Sequence, residues 1–319
     1  MKRSITLIVA LAVLLGIYWL VQSRRPVVSA ARPFVEYDSA AVNLIRTESA
    51  GDTVELRREG DQWNLAVPLK FPAAQRTAQQ VVGRLHEMEK LTLITKNATR
   101  HGEFQVDDAS GVRVTIGQGN KLAVFYIGRT GPAGQTSYAR MANSDEVWEI
   151  GGNQAAAFKR KAKDWRDKTI TEFSQSDFRK ITLRYPDRTL TLTLVDSVWK
   201  VDAGREQFDT EKDLVERLTN LLGRMSGVDF ADTLAANAFD QPLFQLEAEL
   251  STGQTVDLKL IAKDAEATQY YLRKAGATAD YVIYKSTANA LMKKAEDFKP
   301  QAKDEEDVPT KAARAARVS

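Results

Sequence analysis

Only two histidines, His86 and His101, stand in a chain of 319 residues, and cysteine is absent. Without cysteine there is no disulfide, zinc–thiolate site, iron–sulfur cluster or thiol nucleophile. His86-Glu87-Met88-Glu89-Lys90 opens like a zinc-protease helix, but no second imidazole follows one helical turn later, so two nitrogens cannot meet a metal. His101 precedes Gly102-Glu103 in an expected loop. No Gly-x-Ser-x-Gly elbow exists anywhere to hold a serine nucleophile. The glycines of Gly128-Arg129-Thr130-Gly131-Pro132-Ala133-Gly134 lack the Gly-Lys-Ser/Thr that opens a helix under a phosphate, and read as a hairpin loop. Asp107-Asp108 is one acidic pair without the spaced loop of a calcium site. The residue types therefore predict no catalytic, metal or cofactor-binding set.

What remains is binding chemistry. Five tryptophans and nine tyrosines suit either a core or a stacking platform for a glycan. Trp63 and Trp199, and Trp148 and Tyr281, occupy matching places in the pattern described next, which favours core. Tyr138-x-Arg140 and Tyr271-x-Arg273 also recur. An exposed arginine beside tyrosine is a common interface anchor, so these four are the candidate interaction residues. The plainer alternative is an arginine stem covering apolar surface.

The elements that must position them occur twice. Trp63 in DQWNLAV answers Trp199 in SVWKVDA, 136 positions on. The stripe Ala78, Val81, Leu85, Met88 answers Val215, Leu218, Leu222, Met225, and Tyr138-x-Arg140 answers Tyr271-x-Arg273. Offsets drift only from 133 to 137 over six segments, as a duplication with short loop changes would give. Each copy opens with alternating strands, Val42–Arg46, Thr53–Arg57 and Trp63–Val67 against Ile181–Arg184, Leu190–Val195 and Val198–Val201. An amphipathic helix follows, with Pro72 suited to the first turn and Asp209 or Thr210 as cap of its partner. Hairpins at Gly119 and Gly253, two further strands, and closing helices at 153–163 and 287–296 complete each copy.

The expected class is α+β: two similar antiparallel-sheet lobes with packed helices, a tandem repeat preceded by one transmembrane helix. Residues 1–33 form the anchor and linker, 34–165 the first lobe, 166–298 a connector and the second lobe, and 299–319 a disordered charged tail. Ile5–Val21 is 17 residues without a charge, about 26 Å as a helix, closed by Tyr18 and Trp19. Its rival is a signal peptide cut after Val28-Ser29-Ala30, although the run exceeds the usual apolar core and two arginines separate it from that site. Lys2 and Arg3 against Arg24, Arg25 and Arg32 leave orientation undecided. A net charge of 45 − 42 = +3 argues against a nucleic-acid partner.

Asp164-Trp165-Arg166-Asp167-Lys168-Thr169-Ile170, the strand start Ile181-Thr182-Leu183 and Tyr138-x-Arg140 carry a resemblance over about residues 34–298. The chain is similar to a bacterial family of membrane-anchored domains of unknown function, encoded beside auxiliary subunits of gliding-motility-type ABC transport systems. That resemblance implies a cytoplasmic N-terminus, an anchor in the inner membrane through residues 5–21 and a periplasmic body. It brings no functional residues. The combined expectation is a non-enzymatic periplasmic interaction or accessory protein whose partner is an ABC transporter or its auxiliary subunit. The alternative is a glycan- or polymer-binding module that uses an inter-lobe cleft.

Overall fold

The computed structural model describes residues 32–299 other than Ala133. It divides into two compact units between Asp167 and Lys168. The first contains strands β1 (Arg32–Pro33), β2 (Val42–Ser49), β3 (Asp52–Glu59), β4 (Gln62–Val67), β5 (Phe71–Pro72), β6 (Glu89–Thr95), β7 (Val112–Gln118), β8 (Lys121–Thr130), β9 (Thr136–Met141) and β10 (Val147–Gly151). They form one antiparallel sheet in the order β1-β6-β10-β9-β8-β7-β2-β3-β4-β5. Helix α1 (Gln75–Arg84) buries Ala78, Val81 and Val82 and runs into a 3-10 turn, Leu85–Glu87, which brings Leu85 and Met88 inward. Trp63, Ile45 and Leu56 on the strands are also buried. Each fully buried large apolar side chain contributes about 1.5–3 kcal/mol. Phe104, Val106, Tyr126, Tyr138 and Val147 form a smaller separate cluster. Short helices α2 (Ala155–Phe158) and α3 (Ala162–Trp165) close the unit.

The second unit contains β11 (Thr169–Glu172), β12 (Phe178–Arg184), β13 (Thr189–Val195), β14 (Val198–Asp202), β15 (Gln207–Thr210), β16 (Arg224–Ser226), β17 (Asp229–Phe230), β18 (Phe244–Leu250), β19 (Thr255–Ala262), β20 (Gln269–Lys274) and β21 (Tyr281–Tyr284). Its large sheet runs β15-β14-β13-β12-β18-β19-β20-β21-β17. From β5 to β10 and from β15 to β21 the strand order is the same. Helix α4 (Lys212–Gly223) places Val215, Leu218 and Leu222 in a core with Trp199, Ile181 and Met225, and α5 (Lys285–Leu291) adds Ala288 and Leu291.

The α+β expectation does not hold. Strand makes up 45% and helix 22% of the structure, in three antiparallel sheets, so the fold is mainly β. Two physical reasons account for the difference. The expected closing helices shrink to α2 and α3 in one unit and to α5 with a 3-10 turn, Ala295–Phe298, in the other. Segments without clear alternation, β6, β11, β16 and β17, are strands because they meet edges built by remote residues. The third sheet arises where the chain breaks at Gly227: β6 pairs both β1 and β10, whereas β16 pairs β11 and β17 pairs β21. A Cβ at Gly227 would stand 3.0 Å from the Tyr281 ring, so close approach holds the glycine there.

Smaller corrections concern caps and the connector. Pro72 lies in β5, not in a helical turn, and Glu211 precedes α4, while Thr210 ends β15 and donates to the Phe298 carbonyl at 2.5 Å. The connector does not run free, since Trp165 and Ile170 are both buried, each in its own unit. Among the described residues no helix is long and apolar enough to cross a membrane. The Ile5–Val21 anchor and the tail from residue 300 lie outside the described residues.

Candidate functional site

Tyr138 and Arg140 sit on β9, and Tyr271 and Arg273 on β20, but neither arginine reaches out as an anchor. Arg140 is 8% exposed. Its Nε donates to the Val106 carbonyl at 3.0 Å, and Nη1 donates to the carbonyls of Met141, Ala142 and Ser144 at 3.1–3.4 Å. The guanidinium lies 4.4 Å from the Tyr126 ring centre. Arg273 forms a two-pronged pair with Asp280 at 2.8 and 2.7 Å, donates to the Ala236 carbonyl at 2.9 Å and stacks on Phe239 at 4.4 Å. Arg140 ties the loop after the 3-10 turn Ala98–Phe104 to the sheet, and Arg273 ties the 3-10 turn Ala236–Phe239 itself. Tyr138 is buried under the first of these turns against Phe104, while Tyr271 stays half-buried. Tyr138 and Arg140 are buried, whereas Tyr271 and Arg273 share one face of β20 and are half-buried, with Arg273 held by Asp280. Their recurrence reflects loop fastening, a role that spacing alone does not separate from an interface anchor.

The other chemical candidates are likewise engaged. His101 is buried with Nε2 3.2 Å from the Asp145 carbonyl, and His86 is exposed on the 3-10 turn after α1. Asp107 accepts from Ala109 and Ser110, and the Ser110 bonds hold its carboxyl below the usual range. Asp108 accepts from the Tyr126 hydroxyl. A side chain at Gly128 would run into the Phe104 carbonyl, so that glycine serves packing and not a phosphate. No group of three or more acidic or histidine side chains among the described residues could hold a metal ion.

A site the candidate residues did not indicate lies in the second unit. Phe178, Leu194 and Trp199 wall a groove of about 680 Å³ beside α4, with Arg179, Lys212 and Glu216 along its rim. That volume is within the range of ligand and side-chain pockets. Trp199 itself is 7% exposed, so the groove offers the edge of a packed ring and not an open stacking face. The hairpin tip carries Val195 and Val198, 38% and 41% exposed, on the face opposite to the groove. Between them Asp196 and Ser197 have φ of 49° and 68°. Two successive non-glycine residues in the left-handed region cost about 1–2 kcal/mol each relative to an unstrained turn.

At the same register in the first unit the equivalent side chains are held by hydrogen bonds. Arg58 faces Trp63 across the hairpin as Leu194 faces Trp199. Arg58 donates to the Ala40 carbonyl and to Asp61, each at 3.1 Å, and so spans from the tip to the neighbouring turn. Gln75, first in α1, accepts from the Trp63 amide at 2.7 Å and donates to the Trp63 and Ala73 carbonyls at 2.8 and 2.7 Å. At the start of α4 stands Lys212, paired at 3.1 Å with Glu216 on its own helix. Glu59 and Gln62 replace the two valines, and Gly60 takes the positive φ without strain. The signal for this site was present in the paired strands as Leu194 against Arg58, each opposite a tryptophan.

One family model, for a domain of unknown function (DUF4340), matches residues 63–248. No curated protein and no solved structure matches the chain.

Proposed function

We propose that this chain, which belongs to the DUF4340 family, is a non-enzymatic interaction protein that takes a partner's apolar side chain into the groove beside α4. The observation that carries this reading is the asymmetry between the units: Leu194 and Lys212 line a groove at the places where Arg58 and Gln75 are engaged with Ala40 and Trp63. Asp196 and Ser197, both at positive φ, form the hairpin tip at the mouth of the groove. The uncharged Ile5–Val21 run supports anchoring in a bacterial inner membrane with the body in the periplasm. An ABC transport complex is the partner class that the family resemblance suggests.

A photoreactive residue at Ser197 in the full-length protein, activated in native membranes, tests the reading. One discrete crosslinked partner is expected, reduced at least tenfold by Leu194→Arg, which copies Arg58 into the groove. A probe at Asp61 in the first unit should capture little. Equal capture from Ser197 and Asp61, or capture unchanged by Leu194→Arg, overturns the assignment.

A further inference from the structure

Residues 153–164 of the first unit hold four cations, Lys159, Arg160, Lys161 and Lys163, and one acid, Asp164. The first three of these cations make the link between α2 and α3. The core fixes that link from both sides, since Phe158 before it is 1% exposed and Trp165 after it is fully buried. Lys159 and Lys161 are exposed and form no ion pair among the described residues. The Arg160 guanidinium lies 5.9 Å from the Trp165 ring centre and has no carboxylate partner among the described residues. Its Nε, like Nε1 of Trp165, is a buried donor without an acceptor among them. Stacking on a packed ring holds this guanidinium in one orientation, so little side-chain entropy is lost when it meets an anion. Three successive cations that no nearby acid neutralises repel one another and attract negative charge.

The place of the link in the unit selects the anion. Phe34 and Phe158 both pack edge-on against Phe125, at ring-centre distances of 5.8 and 6.3 Å. The link therefore starts one residue beyond an aromatic cluster that also holds the N-terminal entry of the chain into this unit. Glu87, whose carboxylate lies beside Gly152 just ahead of α2, is paired with Arg84 at 3.7 Å. Ten residues separate the uncharged Ile5–Val21 run from Arg32, and a chain of that length spans at most about 40 Å. With the run in a membrane, Arg32 stays within that distance of the lipid head groups, and weak attractions act at high local concentration. Each cation brought to an anionic lipid surface is worth about fivefold in occupancy. We propose that Lys159, Arg160 and Lys161 dock the first unit on anionic phospholipid head groups. The stacked guanidinium supplies oriented donors for phosphate oxygens, and the two lysines supply mobile charge beside it. This docking rests on the membrane anchoring proposed above and not on the groove of the second unit.

The cysteine-free chain accepts a single fluorescent label through Ala156→Cys, at an exposed position on α2. The labelled full-length protein is reconstituted into phosphatidylcholine vesicles that carry a head-group spin label, with or without phosphatidylglycerol. Quenching should be at least threefold stronger when phosphatidylglycerol is present. Lys159→Glu with Lys161→Glu, which leaves the stack on Trp165 intact, should abolish that difference, and Arg160→Gln should at least halve it. Quenching that ignores phosphatidylglycerol overturns the proposal, as does a difference that the double variant retains. An equal change in the label on adding inorganic phosphate or polyglutamate to neutral vesicles assigns the link to a free ion or an acidic protein, which also overturns it. Pelleting with neutral vesicles separates the two readings. Protein that stays in solution overturns the anchoring and the docking together, whereas protein that pellets without a phosphatidylglycerol effect overturns the docking alone.

Discussion

In the first unit Arg58 crosses from the β3–β4 tip to the Ala40 carbonyl, and Gln75 grips the backbone of Trp63 from the helix start. In the second, Leu194 and Lys212 occupy the corresponding places and leave a groove beside Trp199. At the other end of the sheets the difference is one of length: β6 runs for seven residues, and β17 for two. One strand order thus supports two different surfaces among the described residues. What differs is a small number of side chains at the margin of the core: Leu194 packs against it, whereas Arg58 reaches out to the Ala40 carbonyl.

The largest expected effects test whether the two cores respond alike. Trp63→Ala should destabilise the first unit by about 3–5 kcal/mol. Trp199→Ala should cost the second unit less, because its ring borders an open groove. Hydrogen exchange resolved by segment measures each unit, and an equal or larger cost at Trp199 breaks the comparison. Next in size, Arg140→Met strands four carbonyl acceptors that share one buried guanidinium, at about 3 kcal/mol. Arg273→Met should cost about 1 kcal/mol, since its side chain is a third exposed and water can reach its partners. Denaturant titration of the two variants checks this ranking.

Burial raises Tyr37 and Tyr126 in the first unit as well, but the larger alkaline response should belong to the second. Burial pushes the Tyr185 phenol up to about 12, and its hydroxyl donates to the Lys293 carbonyl at 2.7 Å. In the unfolded chain a tyrosine loses its proton near pH 10. The folded state therefore holds the proton longer, and stability, complete below pH 10, falls as pH rises toward 12. Tyr185→Phe should flatten that decline, as followed by thermal melts across the range. The smallest effect is a gain. Ser197→Gly relieves a φ of 68° and should stabilise the second unit by about 0.5–1 kcal/mol, visible as a raised denaturation midpoint. No gain there would mean the tip is unstrained.

Much of the frame was legible because it depends on near neighbours. The stripe from Ala78 to Met88 and the alternation around Trp63 and Trp199 appear in the structure as buried faces. Gly119 and Gly253 turn their hairpins with φ of 60° and 81°. The extent of helix was overestimated at 153–163, where alanine and lysine have good propensity but the fold uses only α2 and α3. The surroundings of the Tyr-x-Arg pairs were hidden for a related reason. Tyr-x-Arg spacing records a repeated job, but Arg140's acceptors Val106 and Ser144 come from loops that only folding delivers to it.

By itself the sequence determined where strands alternate, where the main helices present an apolar stripe and where glycine permits a turn. These follow from side-chain periodicity and from backbone sterics acting within a few residues. Tertiary structure alone decided that β6 joins β10 while its counterpart splits at Gly227, and that an arginine is buried. It also decided that Leu194 opens a groove where Arg58 bridges one. Each of those outcomes depends on atoms far apart in the chain, where pairing, desolvation and free volume are set by whichever segments arrive alongside.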